Sequence, residues 1–106
     1  LMPLLNTITT PYAEAFLQVA ESKNQVEEIV SQSKDILEIW KSSPELSEAM
    51  ASPVLEISSK KLALEKLFSD KINDTFLNLL KLLADRQRIG FLDSVLERLL
   101  EIYREQ

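Results

Sequence analysis

The chain has 106 residues, 45% hydrophobic and 27% charged, with a formal net charge of −5. This is the composition of one globular domain that can bury a modest core. Its 12 basic residues against 17 acidic ones supply no basic face for nucleic acid or an anionic membrane surface, and the lack of cysteine and histidine excludes disulfides, thiolate metal sites and imidazole general bases.

No apolar run approaches the roughly 20 residues of a membrane span, and Leu1–Leu5 lacks the basic flank and long apolar core of a signal peptide. A start at Leu1-Met2 suggests a processed or recombinant piece of something longer. A reducing compartment is permitted. With a single glycine in the chain, a turn-rich β architecture is disfavoured and the expected fold class is all-α, a compact bundle of six helices.

In chain order, the first helix is predicted from about Thr10, a cap candidate with Pro11 at the first helical position, to about Ser22, with a possible extension back through Ile8. Ile8, Tyr12, Ala15 and Val19 form one stripe and Ala13, Phe16, Leu17 and Ala20 another, so this helix is apolar over roughly 200° at about 100° per residue. The second helix, about Asn24–Lys41, repeats Val26, Ile29, Val30, Ser33, Ile36, Leu37 and Trp40 on one narrow face. Trp40 reads as a core anchor. Ser43-Pro44 starts a short third helix carrying Leu46, Ala49 and Met50, which Ser52-Pro53 stops, and Val54–Ile57 connects onward.

Ser58 is the expected cap of a fourth helix of about a dozen residues, with Leu64, Leu67 and Phe68 inward and Lys60 and Lys61 outward. Asn73-Asp74 caps the fifth helix, Thr75–Asp85. There Leu82, Leu79, Leu83, Phe76, Leu80, Ala84 and Leu77 sweep roughly 220°, leaving Asn78, Lys81 and Asp85 as a polar strip. Such a helix is either the centre of the bundle or one wall of an exposed groove. After Arg86-Gln87-Arg88, the sixth helix, about Gly90–Arg104, places Phe91, Leu92, Val95, Leu96, Leu99, Leu100 and Tyr103 on one stripe.

Catalysis finds little material. Glu27-Glu28 and the pair Glu97 and Glu101 read as solvated surface charge, and Ser43, Ser52 and Ser58 as helix-start residues with no base beside them. No phosphate-loop glycine run occurs. Asp70, Asn73 and Asp74 lack the alternating ligand spacing of a calcium loop, so capping explains them better. Arg86 and Arg88 suit either a partner's carboxylate or a helix C-terminus. No catalytic residue, metal, nucleotide or other cofactor is therefore expected.

Thr10-Pro11-Tyr12-Ala13-Glu14-Ala15-Phe16, then Ser52-Pro53, then Phe76-Leu77-Asn78-Leu79-Leu80 followed by Asp85-Arg86-Gln87-Arg88-Ile89 together resemble the delta subunit of rotary F-type ATP synthases, the relative of the mitochondrial oligomycin sensitivity-conferring protein. Each motif alone is weak, but the match runs in order over all 106 residues. It covers that family's N-terminal domain only; the strand-containing C-terminal part would lie beyond Gln106. The family usually has Asn-Gly-Arg after the fifth helix, whereas this chain has Arg86-Gln87-Arg88 and lacks the glycine on which that helix end depends.

The resemblance implies a non-catalytic stator subunit, peripheral on the cytoplasmic face of a bacterial or thylakoid energy-transducing membrane or on the matching stromal or matrix side. Its six-helix bundle would form a groove between the first and fifth helices for the N-terminal helix of an alpha subunit. Peripheral-stalk subunits would join through the missing C-terminal part. The isolated domain would be a monomer, with no nucleic acid partner and no direct membrane insertion. Splitting each over-wide arc into a core half and a rim half assigns Ile8, Tyr12, Ala15 and Val19 to one groove wall and Leu79 and Leu82 to the other, and the resemblance points to Tyr12 and Leu82 in particular. A death-domain-like adaptor, binding through charged surface patches, is the competing reading.

Overall fold

The computed structural model describes residues 3–106, with side chains from Leu5 onward; the Leu1-Met2 start lies outside the described residues. Six α-helices follow one another: α1 (Pro3–Ser22), α2 (Val26–Ser42), α3 (Pro44–Ala51), α4 (Ile57–Phe68), α5 (Asp74–Asp85) and α6 (Leu92–Glu105), with a short 3-10 turn at Ile89–Phe91. No strand occurs among the described residues.

α1 is longer than the cap signal at Thr10 suggested, and Pro11 lies inside it rather than at its start. Tertiary contact overrides the proline here. Thr9 is fully buried, and Arg98 of α6 donates through Nε to Thr10 Oγ1 at 3.0 Å, which holds the turn before Pro11 helical although proline removes a donor there. Asn24, expected to open the second helix, instead closes the first: its φ is 55°, and the bonds Gln25 N–H to Ala20 O (2.8 Å) and Asn24 N–H to Glu21 O (3.2 Å) make the paired helix-ending pattern in which a left-handed residue satisfies the last carbonyls. α2 therefore starts at Val26.

The same device ends α5. Gln87 sits at φ 58°, with Arg88 N–H bonded to Leu83 O (2.7 Å) and Gln87 N–H to Ala84 O (3.0 Å), so the helix end that usually takes glycine forms with glutamine. At its other end Asn73 caps α5, its Oδ1 accepting from Phe76 N–H at 2.8 Å. α4 begins one residue before the serine predicted to cap it: Glu56 is the N-cap, extended at φ −67° and ψ 149°.

The core is contiguous, running from Phe16 and Leu17 of α1 through Ile29, Ile36 and Trp40 of α2, Leu64 and Phe68 of α4, Phe76, Leu80 and Leu83 of α5 to Leu92, Leu96 and Leu99 of α6. Each fully buried aliphatic or aromatic side chain contributes about 1.5–3 kcal/mol of transfer free energy. The Cα radius of gyration is 13.0 Å, the value of a chain near 100 residues packed on one core. α1 and α2 pack on α6, α4 packs on α5, and α3 rests on the 3-10 turn.

Two assignments on α4 are reversed, Lys60 expected outward and Leu67 expected inward. Lys60 is buried and Leu67 exposed, because Leu64 and Phe68 fix the inward stripe and the residue one turn before Leu64 on that stripe is Lys60. Phe91 also leaves its predicted stripe. It is the last residue of the 3-10 turn and partly exposed, since α6 starts one residue later.

Candidate functional site

The end of α1 lies near the start of α5. Lys23 Nζ donates to Thr75 Oγ1 at 3.5 Å, and Thr75 donates in turn to Gln25 Oε1 at 2.8 Å. The two helices touch sparsely along the rest of their length because each is committed elsewhere, α1 to α6 and α5 to α4. Between them lies a concavity of about 230 Å³ lined by Tyr12, Ala15, Phe16 and Val19 of α1, Lys23 just after it, and Thr75, Asn78, Leu79 and Leu82 of α5.

Its floor is rigid. Phe16 and Phe76 meet edge to face with ring centroids 5.1 Å apart and planes at 79°, the favoured aromatic geometry, and Leu79 is buried beside them. Its walls are apolar yet wet: Val19 and Leu82 remain 41% and 40% exposed, and Ala15 contributes no bulk, which keeps the cleft open. Polar side chains in the lining are Lys23 and Thr75 at one end, Asn78 on the α5 side and the Tyr12 phenol on the α1 side. Among the described residues no group of three or more histidine, cysteine, aspartate or glutamate side chains could hold a metal ion. The cleft is also smaller than the roughly 300–1,000 Å³ of a small-molecule site. What the geometry suits is a few apolar side chains projecting from a helix, with the polar end fixing their direction.

Five of the six residues assigned to the groove from the sequence, Tyr12, Ala15, Val19, Leu79 and Leu82, line it. Ile8, half-buried a turn before Tyr12, is not in the lining. Leu79 was expected on a wall and is part of the floor. Four lining residues went unassigned to the partner: Phe16, Lys23, Thr75 and Asn78. The signal for them was present, since Tyr12, Ala15, Phe16, Val19, Lys23 and Thr75, Asn78, Leu79, Leu82 both follow the i, i+3, i+4, i+7 spacing of one helix face.

Fold and cleft together define an all-helical domain with an apolar cleft between two of its helices. Residues 8–106 match the family model of the ATP synthase delta (OSCP) subunit. The chain is 76% identical over 105 residues to ATP synthase subunit delta of Prochlorococcus marinus (strain NATL1A), covering 99% of this chain and 58% of that protein. It is 72% identical over 105 residues to the same subunit of Prochlorococcus marinus (strain MIT 9211) and 60% identical over 104 residues to that of Synechococcus sp. (strain RCC307), covering 99% and 98% of this chain and 58% of each relative. The chain belongs to the ATP synthase delta (OSCP) subunit family. It spans 58% of the length of these relatives.

Proposed function

We propose that the cleft between α1 and α5 receives the N-terminal helix of an alpha subunit of a rotary ATP synthase. The chain is then a non-catalytic part of the stator, holding the catalytic head so that rotation of the central shaft does work instead of turning the whole head. The remainder of the subunit, beyond residue 106, joins the peripheral stalk, and the protein is associated with the membrane through its complex. Among the described residues no helix is long and apolar enough to cross a membrane.

The observation that carries this reading is the pair of half-exposed aliphatic side chains, Val19 and Leu82, facing one apolar cleft across an aromatic floor. An amphipathic helix gains affinity from seating apolar residues in such a groove, and family membership supports a partner within the ATP synthase complex. A death-domain-like adaptor would present charged patches, and family membership speaks against it. The test is calorimetric titration of the chain with a synthetic alpha-subunit N-terminal peptide. Leu82→Glu and Ala15→Glu are expected to abolish measurable binding with the fold retained, because both side chains are solvated in the free chain while a carboxylate buried without a partner costs several kcal/mol. Wild-type affinity in Leu82→Glu would place the peptide elsewhere.

A further inference from the structure

The α1–α5 cleft has one formally charged side chain in its lining, Lys23, and no carboxylate. The acids of the two helices are turned elsewhere. Glu14 and Glu21 of α1 border a separate depression beside Ile102 of α6, Asp85 of α5 is paired with Lys61 of α4 at 2.9 Å, and Asp74 lies outside the lining. Lys23 is exposed and makes no ion pair among the described residues. Its ammonium donates to Thr75 Oγ1 over 3.5 Å, a long bond to a neutral oxygen, and an ammonium has more donors than this one bond uses. The hydroxyl beneath it is fixed, because Thr75 is buried and donates to Gln25 Oε1 at 2.8 Å. A cation just after α1 also complements the carbonyl end of that helix, but no carbonyl takes the Lys23 ammonium. From Tyr12 to Lys23 the α1 wall extends about 16 Å at about 1.5 Å per residue, room for about three turns of a docked helix.

We propose, on the reading that this cleft seats the alpha-subunit helix, that Lys23 determines which helix fits and in what register. It takes an aspartate or glutamate carried on the apolar face of the docked helix, about one to two turns from the residues that meet Val19, Leu79 and Leu82. Charge complementarity selects this partner. A carboxylate seated at Lys23 gains a charge-assisted hydrogen bond, and no acid of the cleft lining repels it. A lysine or arginine at the same place meets a like charge beside an apolar floor, where the low local dielectric strengthens the repulsion. Specificity thus has two parts, attraction of an acidic helix and rejection of a basic one.

The experiment is a double-mutant cycle by calorimetric titration. The wild-type chain, Lys23→Met and Lys23→Glu are each titrated with the synthetic alpha-subunit N-terminal peptide and with versions in which each acidic residue in turn is replaced by its amide or by lysine. Lys23→Met is expected to bind the unmodified peptide about 5-fold more weakly, the worth of a part-exposed ion pair. One amide replacement should cause the same loss on the wild-type chain and no further loss on Lys23→Met. The lysine version at that position should bind Lys23→Glu more tightly than it binds the wild-type chain. Lys34→Met, which removes an exposed cation outside the lining, is expected to stay within about 2-fold of wild type, since exposed charges more than a Debye length apart are screened. A merely structural lysine would weaken every peptide alike and show no coupling. Binding in the cleft with no acidic position coupled to Lys23, or an equal loss in Lys34→Met, would overturn the proposal while leaving the cleft as the helix seat. No binding of the unmodified peptide to the wild-type chain would overturn both.

Discussion

Replacing Gln87 by glycine is expected to stabilise the chain. Gln87 is held at φ 58° by the two closing bonds of α5, Arg88 N–H to Leu83 O and Gln87 N–H to Ala84 O, and its exposed side chain donates no hydrogen bond that would be lost. A side chain bearing a Cβ costs about 1–2 kcal/mol in that region, which glycine does not incur. Glycine gives back about 0.5–1 kcal/mol through the greater freedom of its unfolded state. The balance is a gain of about 0.5–1 kcal/mol, which for a domain of this size raises the melting temperature by about 2–8 °C. Thermal and urea denaturation followed by far-ultraviolet circular dichroism reads it directly. Gln87→Val should move the other way, because a β-branched residue fits positive φ poorly, and Asn24→Gly should gain less, because asparagine tolerates the left-handed region. A neutral Gln87→Gly together with a neutral Gln87→Val would mean that α5 does not end in this pattern.

Trp40→Ala is expected to cost about 3–5 kcal/mol, a large part of a domain's 5–15 kcal/mol, because the ring is almost wholly buried at the end of the α2 stripe; a loss under about 1 kcal/mol by urea denaturation would put the ring outside the core. Gly90→Ala should cost about 1–3 kcal/mol by the same assay, since a Cβ there would lie 3.0 Å from both Cα and Cβ of Ala51 and α3 would have to shift; an unchanged midpoint would mean that α3 does not press on the 3-10 turn. The hydrogen bond from Lys81 Nζ to Glu65 Oε2, 2.6 Å long, and the charge of that lysine hold the Glu65 carboxyl below the ordinary glutamate range. Because the folded value is the lower one, the pair's stabilisation is present above about pH 4.3 and is lost as pH falls through the folded value. Lys81→Met should return the Glu65 midpoint, read by carboxyl chemical shifts, towards the ordinary range, and an unmoved midpoint would refute the pairing.

The helices with one apolar stripe were legible because period alone decides them. Val26 to Trp40 reads as a single face in the sequence, and that face is inward in the structure. Where the reading failed, tertiary contacts or turn chemistry competed with a local signal. Thr10-Pro11 is a good helix start in isolation, yet Thr9 and Thr10 are drawn onto α6. Asn24 reads as the first residue of the second helix, and its tolerance of positive φ ends the first helix instead. Lys60 was placed outward because lysine usually is, although its spacing from Leu64 and Phe68 put it on the buried stripe. The unusual residue on that stripe was the informative one, and a residue-type prior concealed it.

The breadth of the α1 and α5 arcs left open whether the helices were bundle centre or groove wall, and the structure makes each of them both. Phe16, edge to face with the buried Phe76, belongs to the core and at the same time closes the bottom of the cleft. A helix with two such duties needs an apolar arc wider than one core demands, and the excess is what remains half-exposed, at Val19 and Leu82. If those two residues served the core alone, the helices could close on each other and bury them, gaining on the order of 25 cal/mol for each Å² of apolar surface covered. They are kept apart by the commitment of α1 to α6 and of α5 to α4, while the Lys23, Thr75 and Gln25 bonds tie the segment after α1 to the start of α5. The uncovered area is thus a built feature of how the helices are anchored, and a partner helix that covers it gains what the bundle leaves unclaimed.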